Sequence, residues 1–464
     1  MKIGLEIHRQ IESHKLFCKC PSVLREDKPE FSIKRVLRAV SSELREEDLV
    51  AKHEMEKQRY AVYEGYDSTC LVELDESPPE HLNQEALMAV LEVAQLLHCE
   101  ILDELFVMRK QVLDYSNTSG FQRTVLVARN GYVEVKGKKI SINTLCLEED
   151  AARKIMEHKD HVVYRLDRLG IPLIEITTKP EMTSALEAKE VAAYLGMVLK
   201  STGKFKSGLG TIRQDVNVSV EGGSRVEIKG VQDLRSMDKI IEGEAQRQLQ
   251  IVREKGKMKE EVRMVQEDLS TKFLRPMPGA ARMYVETDVP VFKISKELLK
   301  NIKKPVLLSE KVQELEKKYQ LHTEIAKELV EEHLALFEEL VLKFHHPELI
   351  AKTLVLTLRD LKSRLHLSVE KLRKQDFEEV FSYVTKGNID QDAVPHVLSD
   401  KLRGNFDLKK YEKVNEKDLE FFVRNLIKEK GSLNDGALMG IIMKEYQGKV
   451  NGKKVMEILK KVRG

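Results

Sequence analysis

The sequence predicts an α+β protein in which a β-rich domain over 1–295 is followed by a helical domain over 296–403 and a small helical tail domain over 404–464. Short runs that alternate apolar and polar residues dominate the first part, a pattern typical of strands with one buried face. From about Ser295 onward, apolar residues recur at helical spacing and strand-like alternation becomes rare. A break near Gly404 divides this helical region into a longer segment and a shorter tail.

The N-terminal segment MKIGLEIH has the alternation of a strand. Ile3, Leu5 and Ile7 fall on one face, which is expected to be buried. Glu6 and His8 therefore lie together on the opposite face.

The middle of the β-rich domain contains both strand and helix signals. Asn83 is placed to cap a helix through EALMAVLEVAQLLH. The runs LFVMRKQVL, TVLVA and YVEVKG predict strands, the last two separated by a turn at Asn130-Gly131, and HVVYRL and IPLIEITT predict two more. Helices are expected near 185–199 and 237–254, and between them TIRQDVNVSV and SRVEIKG predict a hairpin around Gly222-Gly223.

Two stretches near the end of this domain predict no regular structure. The charged segment 256–271 has no hydrophobic period and predicts a loop. The segment LRPMPGAARMYVETDVP is rich in Pro and predicts an irregular chain packed on the β-rich core.

Composition excludes several classes of protein. The chain has only five cysteines, an odd number, which excludes a disulfide framework and indicates a reducing compartment. No long apolar run occurs, and the N-terminus lacks the apolar core of a signal peptide. These features predict a cytoplasmic protein with no membrane association.

Positive charge is concentrated at the C-terminal end. The whole chain has a net charge of +2, whereas 404–464 contain 14 Lys and Arg against 9 Asp and Glu, a net +5. A basic tail favours a polyanionic partner, and lysines near turns suit phosphate backbones without reading sequence. The alternative is a solvated helical surface. The candidate RNA-binding residues are Lys444, Lys449, Lys453 and Lys454.

Three acids stand side by side in LCLEEDAARK, directly after an apolar, β-rich run. Glu148, Glu149 and Asp150 repel one another unless water or a cation compensates them. Taken alone, this stretch is better explained by a solvated loop or by the acidic first turn of a helix.

Other acids on strand-like runs make a cation site the stronger interpretation. Glu6 and His8 share a strand face, Glu175 interrupts the apolar run IPLIEITT, and Asp215 lies in RQDVNVSV. Carboxylates with one imidazole suit Mg²⁺ or Mn²⁺, which accompany ATP phosphates. The alternatives are a salt bridge from Glu175 to Arg165 or Arg168 and a structural, hydrogen-bonded His8.

A second group of side chains suits phosphate. Arg109 and Lys110 follow a strand and precede DYSNTSGFQR, whose hydroxyl groups include those of Ser116 and Thr118. The alternative is an ordinary polar loop. No Walker motif, no G-x-G-x-x-G after a strand and no G-x-S-x-G elbow occurs, which excludes those nucleotide-binding and hydrolase classes.

A zinc site is disfavoured. Cys18 and Cys20 form a C-x-C pair, and Cys70 follows about fifty residues later. Tetrahedral zinc needs four ligands, and Cys70 lacks the second thiol of a C-x-x-C motif.

Seven ordered motifs resemble one known family across almost the whole chain. They are GLEIHRQI, VYEGYDSTCLVELDESPP, VMRKQVLDYSNTSGFQR, LCLEEDAARK, YRLDRLGIPLIEI, STGKFKSGLGTIRQDVNVSV and RVEIKGVQDL. The chain is similar to the B/E-subunit family of tRNA-dependent amidotransferases, and within it to the archaeal E subunits that act on Glu-tRNA(Gln). The resemblance implies a catalytic β-rich cradle domain, a helical domain and a YqeY-like tail domain that touches tRNA.

The resemblance also implies a two-step reaction that uses ATP and Mg²⁺. The side-chain carboxylate of Glu on misacylated tRNA(Gln) is phosphorylated, and ammonia then displaces phosphate to give Gln-tRNA(Gln). An asparaginase-like partner, the D subunit of the amidotransferase, delivers the ammonia. The implied assembly is a homodimer within a heterotetramer.

Matching the family's motifs residue by residue implies the site residues. The implied metal ligands are Glu6, His8, Glu149 and Glu175, with Glu148 as a less certain neighbour of Glu149 and Asp150 as a helix-start acid. The implied catalytic residues are Glu6, Lys110, Glu149, Arg213 and Asp215, and the implied ATP-binding residues are Arg109, Lys110, Ser116, Thr118 and Arg213.

The chain departs from the pattern of E subunits at one place. These proteins carry an insertion resembling a domain of bacterial-type aspartyl-tRNA synthetases, which would fall between about Lys255 and Arg275, where this sequence runs on directly. Two alternative functions stay open: amidation of Asp-tRNA(Asn) by a B-type subunit, and a non-catalytic tRNA-binding scaffold whose acids only form salt bridges.

Overall fold

The computed structural model confirms the α+β class. It describes residues 1–36, 56, 59–112, 114–208, 210–277, 283–302, 304–412, 416–430, 433–446, 449–450 and 452–463. The chain separates into two compact units, Met1–Leu307 and Leu308–Gly464, the first rich in strands and the second helical. The domain boundaries expected at 295/296 and 403/404 stay predictions.

The first unit intersperses helices among many strands. The helices are α1 (Gln84–Leu96), α2 (Ala185–Ser201), α3 (Leu234–Lys255) and the short α4 (Lys296–Asn301). The strands are β1 (Lys2–Gln10), β2 (Phe31–Arg35), β3 (Tyr60–Gly65), β4 (Glu100–Ile101), β5 (Glu104–Leu105), β6 (Val107–Gln111), β7 (Phe121–Val135), β8 (Lys138–Glu149), β9 (Arg153–Glu157), β10 (His161–Arg165), β11 (Pro172–Thr178), β12 (Ile212–Ser219), β13 (Val226–Lys229), β14 (Glu261–Val265), β15 (Thr271–Pro276), β16 (Met283–Val285) and β17 (Phe292–Lys293).

One large sheet organises the first unit. Its order is β15-β14-β13-β12-β1-β11-β8-β7-β6-β16, with β4 paired to β7, and only the β13–β14 pair among these described strands is parallel. A smaller sheet has the order β2-β3-β10-β9, and β17 pairs with β5. The predicted strand β1 is central, between β11 and β12.

The two faces of the large sheet differ in chemistry. Ile3, Leu5 and Ile7 are fully buried and belong to the core in which α1, α2 and α3 pack on the sheet, as the alternation of MKIGLEIH predicted. The other face, here called the polar face, carries the side chains of Glu6, His8, Lys110, Gln122, Thr124, Cys146, Glu148, Glu175, Arg213, Asp215, Glu227 and Lys229.

The predicted helix cap and hairpin are confirmed. The side chain of Asn83 accepts a hydrogen bond from the backbone N–H of Ala86 and begins α1. Strands β12 and β13 pair antiparallel, with Val216 opposite Ile228.

The turn predicted at Asn130-Gly131 is wrong, because strand β7 continues through these residues, although the φ of Asn130 is 53°. The hairpin turn lies at Lys136-Gly137 instead, where φ is 51° and 79°, and joins β7 to β8. A Cβ added at Gly131 would lie 2.5 Å from the carbonyl oxygen of Leu97. Glycine is therefore required there by a close approach between segments.

The loop predicted for 256–271 is also wrong, since β14 and most of the turn into β15 occupy it. These strands form one edge of the large sheet, and β16, in the segment expected to be irregular, forms the other. The charges of the edge segment make local ion pairs: Arg263 lies 2.8 Å from Glu261, and Arg247 of α3 lies 3.0 Å from Glu261. Strand prediction depends on the alternation of apolar and polar residues, and charged residues that form ion pairs along a sheet edge interrupt this alternation.

The second unit is helical in its described residues. One cluster of buried side chains lies between 312 and 411, and another lies between 419 and 459. No helix in the described part of the chain is both long and apolar enough to cross a membrane. The helices are α5 (Leu308–Tyr319), α6 (Thr323–Glu328), α7 (Leu334–Phe344), α8 (Pro347–Lys352), α9 (Leu358–Ser363), α10 (Lys374–Thr385), α11 (Val394–Arg403), α12 (Glu416–Lys430), α13 (Asp435–Glu445) and α14 (Gly452–Arg463), with π-helical turns at Leu329–His333 and Thr353–Thr357.

Candidate active site

An imidazole surrounded by carboxylates lies at the centre of the polar face. His8 Nε2 is 3.3 Å from Glu175 Oε2, 3.6 Å from Glu6 Oε1 and 3.8 Å from Glu148 Oε2. Lys110 Nζ closes the group at 3.3 Å from Glu148 Oε1 and 3.8 Å from Glu175 Oε2. These five residues, the central cluster, come from β1, β6, β8 and β11.

The strand register explains how the central cluster forms. His8 lies opposite Glu175 on β11, and residues paired across strands share a face. Lys110 is opposite Gln122 on β7, and Thr124, two residues further along β7, is opposite Glu148 on β8. Residues two apart on a strand share a face, so Lys110 and Glu148 project from the same face of the sheet. Glu175 does not form the alternative salt bridge to Arg165 or Arg168. Arg165 pairs with Glu64, and Arg168 lies 3.6 Å from Asp150.

The charges of the cluster shift one another's proton affinity. Burial alone lowers the pKa of His8, but the hydrogen bond with Glu175 and the nearby acids outweigh it and raise this pKa to about 9. Burial acts to raise the pKa of Glu175, but His8 and Lys110 together hold it at about 2. Burial, followed by repulsion from Glu175, raises the pKa of Glu6 to about 7. The acids thus hold a proton on His8, and a metal ion bound through Nε2 would displace this proton.

The donor set fits a hard divalent cation. One ligand atom each from Glu6, His8 and Glu175 lie within 4.8 Å of one another. Carboxylate oxygens with one imidazole are ligands that Mg²⁺ and Mn²⁺ accept. Glu148 adds a further carboxylate beside them, 3.8 Å from the same imidazole.

Glu149, the residue that the motif comparison favoured as a metal ligand, lies away from the central cluster. Its carboxylate accepts from the backbone N–H of Arg123 at 3.1 Å and lies 3.4 Å from the Arg123 guanidinium, which also binds Glu286. Burial raises the pKa of Glu149. Because adjacent strand residues face opposite sides, Glu148 faces the cluster and Glu149 does not. Leu145 and Leu147, both buried in the core, share the face of Glu149 and were a signal for this arrangement.

A second charged group continues along the polar face. Lys229 Nζ is 2.6 Å from both Asp215 Oδ2 and Glu227 Oε1. Asp215 is in register with Glu6, so this group adjoins the central cluster. Sequence reasoning singled out Asp215 but missed Lys229 and Glu227. The alternation of VEIK, with Val226 and Ile228 buried, was the available signal.

Arg213 is held by a buried acid. Its NH2 group lies 2.7 Å from Asp150 Oδ1, while Gln10 Nε2 donates to Asp150 Oδ2 at 2.8 Å. The prediction that Asp150 starts a helix is wrong, because the chain continues into β9 and the Asp150 backbone N–H donates to the carbonyl of Ile171.

The other residues expected to bind ATP have local partners. Arg109 projects opposite to Lys110 and lies 2.5 Å from Glu286. The hydroxyl of Ser116 donates to Asp114, and that of Thr118 donates to the carbonyl of Glu73 at 2.6 Å. The structure thus places Lys110 and Arg213 on the polar face, whereas Arg109, Ser116 and Thr118 lie outside it.

The cysteines gather as the zinc hypothesis required, together with a fourth donor, Glu73, that the prediction from sequence missed. One donor atom each of Cys18, Cys20, Cys70 and Glu73 lie within 4.8 Å of one another. The carboxylate of Glu73 forms an ion pair with the buried Lys15, whose pKa burial lowers to about 8. The spacing C-x-x-E, in place of C-x-x-C, was the signal.

The four tail lysines lie between the C-terminal end of α13 and the N-terminal end of α14. Lys444 is in the last turn of α13, Lys449 follows in the connection, and Lys453 and Lys454 are in the first turn of α14. Lys453 and Lys454 are exposed.

A sheet face that displays an imidazole, carboxylates and ammonium groups is typical of a domain that binds charged groups. Two family models match the chain: the GatB/GatE catalytic domain over residues 1–300 and the GatB domain over residues 335–462. The chain belongs to the GatB/GatE family and is an amidotransferase subunit of the ligase class.

Curated relatives support this membership over nearly their full length. The E subunit of the glutamyl-tRNA(Gln) amidotransferase of Archaeoglobus fulgidus is 36% identical over 604 alignment positions, which cover 99% of this chain and 97% of the relative. The E subunits of the same enzyme from Methanocaldococcus jannaschii and Methanosarcina barkeri are 36% and 34% identical, covering 99% of this chain and 98% and 97% of the relatives. With 464 residues here, at least 140 of the 604 positions are gaps in this chain, which is the size of a domain.

Proposed function

We propose that this subunit uses ATP to phosphorylate the side chain of Glu on misacylated tRNA(Gln) and then amidates it with ammonia, giving Gln-tRNA(Gln). The observation that carries the proposal is the central cluster, in which four candidate metal ligands and Lys110 meet on one face of the sheet. The names of the relatives support the substrate.

Phosphoryl transfer needs positive groups around spreading negative charge. Glu6, His8, Glu148 and Glu175 would hold Mg²⁺, which when bound neutralises phosphate charge and orients ATP. Arg213 is opposite His8 on β12, and Lys110 contacts Glu148 and Glu175 on the other side of His8, so both would bind phosphate oxygens. The buried floor of the sheet excludes water from below, which protects an acyl phosphate from hydrolysis.

Asp215 is proposed to bind the incoming ammonia. Its carboxylate adjoins Glu6 across the β1–β12 pair and is fixed by Lys229 and by the backbone N–H of Gly230 at 3.4 Å. A carboxylate held in this way accepts N–H donors and orients the nitrogen toward the activated carbonyl.

The proposal includes the partners. The ammonia comes from the asparaginase-like D subunit, and the complex is a heterotetramer built on a homodimer in the cytoplasm. The tail contacts tRNA through Lys444, Lys449, Lys453 and Lys454, because lysines near helix ends suit phosphates.

A substrate assay tests the function. The full chain is incubated with ATP, Mg²⁺, ammonium and either Glu-tRNA(Gln) or Asp-tRNA(Asn), and ADP and amidated tRNA are measured. We expect ADP and Gln-tRNA(Gln) to form together, with turnover lost in Lys110→Ala and kept in Lys154→Ala, an exposed lysine of β9. Amidation of Asp-tRNA(Asn) alone would assign the B-type reaction, and tRNA binding without turnover would assign a scaffold.

A further inference from the structure

We propose that Asp150 is a positioning residue that fixes the Arg213 guanidinium on the polar face. The proposal rests on the proposed function for the role of Arg213, but the contact itself stands on geometry. Asp150 is 1% exposed, and its two carboxylate oxygens accept from Arg213 at 2.7 Å and from Gln10 at 2.8 Å. It therefore links β1 and β12.

The backbone fixes the carboxylate of Asp150. Its N–H donates to the carbonyl of Ile171 at 2.8 Å, and its own carbonyl accepts from the N–H of Gly170 at 2.9 Å. Arg168 Nε lies 3.6 Å from the same oxygen that binds Arg213. A buried charge with converging donors is held in one orientation, so it defines where its partner guanidinium lies.

Arg213 keeps donors for a ligand. It is opposite His8 in the β1–β12 register, and its side chain is 32% exposed. The hydrogen bond to Asp150 uses NH2, and no other hydrogen bond from its guanidinium is found among the residues that the structure describes. Because Arg213 lies opposite His8, its remaining N–H groups are available to an anionic substrate bound beside the central cluster.

Fixing this side chain in advance matters for the rate. A free arginine loses rotamer freedom each time it engages a phosphate, whereas one already held loses little. If Arg213 stabilises charge that develops in the transition state, loss of Asp150 lowers kcat more than it raises KM.

The first test is steady-state kinetics of Asp150→Asn in the full chain, with ATP, Mg²⁺, ammonium and Glu-tRNA(Gln). We expect kcat to fall about tenfold or more, with KM for ATP changed less than about threefold. The matched control is Asp167→Asn, which removes another buried acid whose carboxylate binds Arg153 at 2.7 Å and the backbone N–H of Arg25. We expect this control to lower the melting temperature while keeping kcat.

The second test reads the position of Arg213 without activity. Phenylglyoxal modification is followed at each arginine by peptide mass spectrometry, with the 91% exposed Arg235 as internal reference. We expect Arg213 to react faster relative to Arg235 in Asp150→Asn than in the wild type or in Asp167→Asn. Unchanged reactivity, or unchanged kcat, would overturn the positioning role. A wild type without ATP-dependent turnover but with the expected reactivity change would instead overturn the proposed function.

Discussion

At the residue scale, the alternation of side chains along a strand decides which acids act together. Glu148 shares its face with His8, Glu175 and Lys110, whereas Glu149 faces Arg123 on the other side. Each arrangement follows from one step along β8. The chemistry of the site thus depends on strand register as much as on residue type.

Acid should weaken the second unit through Asp400. Burial acts to raise the pKa of Asp400, but Lys410 and Tyr411, each 2.6 Å from its carboxylate, outweigh it and lower this pKa. A lowered folded pKa means stability that is present at neutral pH and is lost as the pH falls through that value. Asp400→Asn should therefore cost on the order of 1 kcal/mol at pH 7.

The measurement is thermal melting of the wild type and Asp400→Asn between pH 7 and pH 3. We expect the gap between the two melting temperatures to shrink on the acid side, since the wild-type carboxyl becomes neutral there. A constant gap would show that the charge of Asp400 contributes nothing.

At the element scale, the sequence predicted β1, the β12–β13 hairpin and the first three helices because their burial pattern is regular. Ile3, Leu5 and Ile7 alternate without interruption, and Asn83 caps its helix by a local hydrogen bond. The placement of Glu6 and His8 on one face followed from the same alternation. The partners of Asp150 depend on contacts between strands that are far apart in the sequence, which local pattern does not encode. The pairing of Lys229 with Asp215 depends on the register of the β12–β13 hairpin.

The incorrect prediction of a turn at Asn130-Gly131 shows why a local sequence pattern is not enough. Glycine is required both at turns with positive φ and where another segment comes close, and the residue type is the same in each case. Only the neighbouring segment, here Leu97 and Cys99, distinguishes the two.

Two glycine substitutions test this distinction. Gly131→Ala should destabilise the protein by about 2–3 kcal/mol, because the added methyl group overlaps the carbonyl of Leu97. Gly137→Ala has open space around the methyl group and a φ of 79°, so it should cost only about 1 kcal/mol. Urea unfolding of both variants measures the difference. Equal losses would contradict the close-approach account of Gly131.

At the scale of the whole molecule, the proposed catalytic site and the proposed tRNA-binding lysines lie in different units. The polar face belongs to Met1–Leu307 and the tail lysines to Leu308–Gly464. At least 140 of the 604 positions aligned with the Archaeoglobus fulgidus relative are gaps in this chain. This number agrees with the expectation that the chain lacks the inserted domain of E subunits. The tail is therefore expected to supply a larger share of the tRNA affinity.

Replacing the four tail lysines by glutamine should weaken tRNA binding and its salt dependence together. Each lost phosphate contact should reduce the slope of log affinity against log salt by about 0.7–0.9. Filter binding at several salt concentrations measures the slope. The matched control replaces four exposed lysines of the first unit by glutamine. If both variants weaken tRNA binding equally, the tail lysines contribute only through the overall positive charge of the protein and not through specific contacts. The control residues are Lys293, Lys296, Lys300 and Lys304.

The central claim is that the polar face, with Glu148 rather than Glu149 beside His8, is the phosphorylating and amidating site. The most direct measurement compares Glu148→Gln with Glu149→Gln in ATP-dependent formation of Gln-tRNA(Gln) from ammonium across a Mg²⁺ titration. We predict that Glu148→Gln lowers turnover about a hundredfold or more and raises the Mg²⁺ requirement. We also predict that Glu149→Gln mainly lowers stability, because Arg123 loses a buried partner. Loss of turnover in Glu149→Gln with normal turnover and Mg²⁺ dependence in Glu148→Gln would contradict the claim.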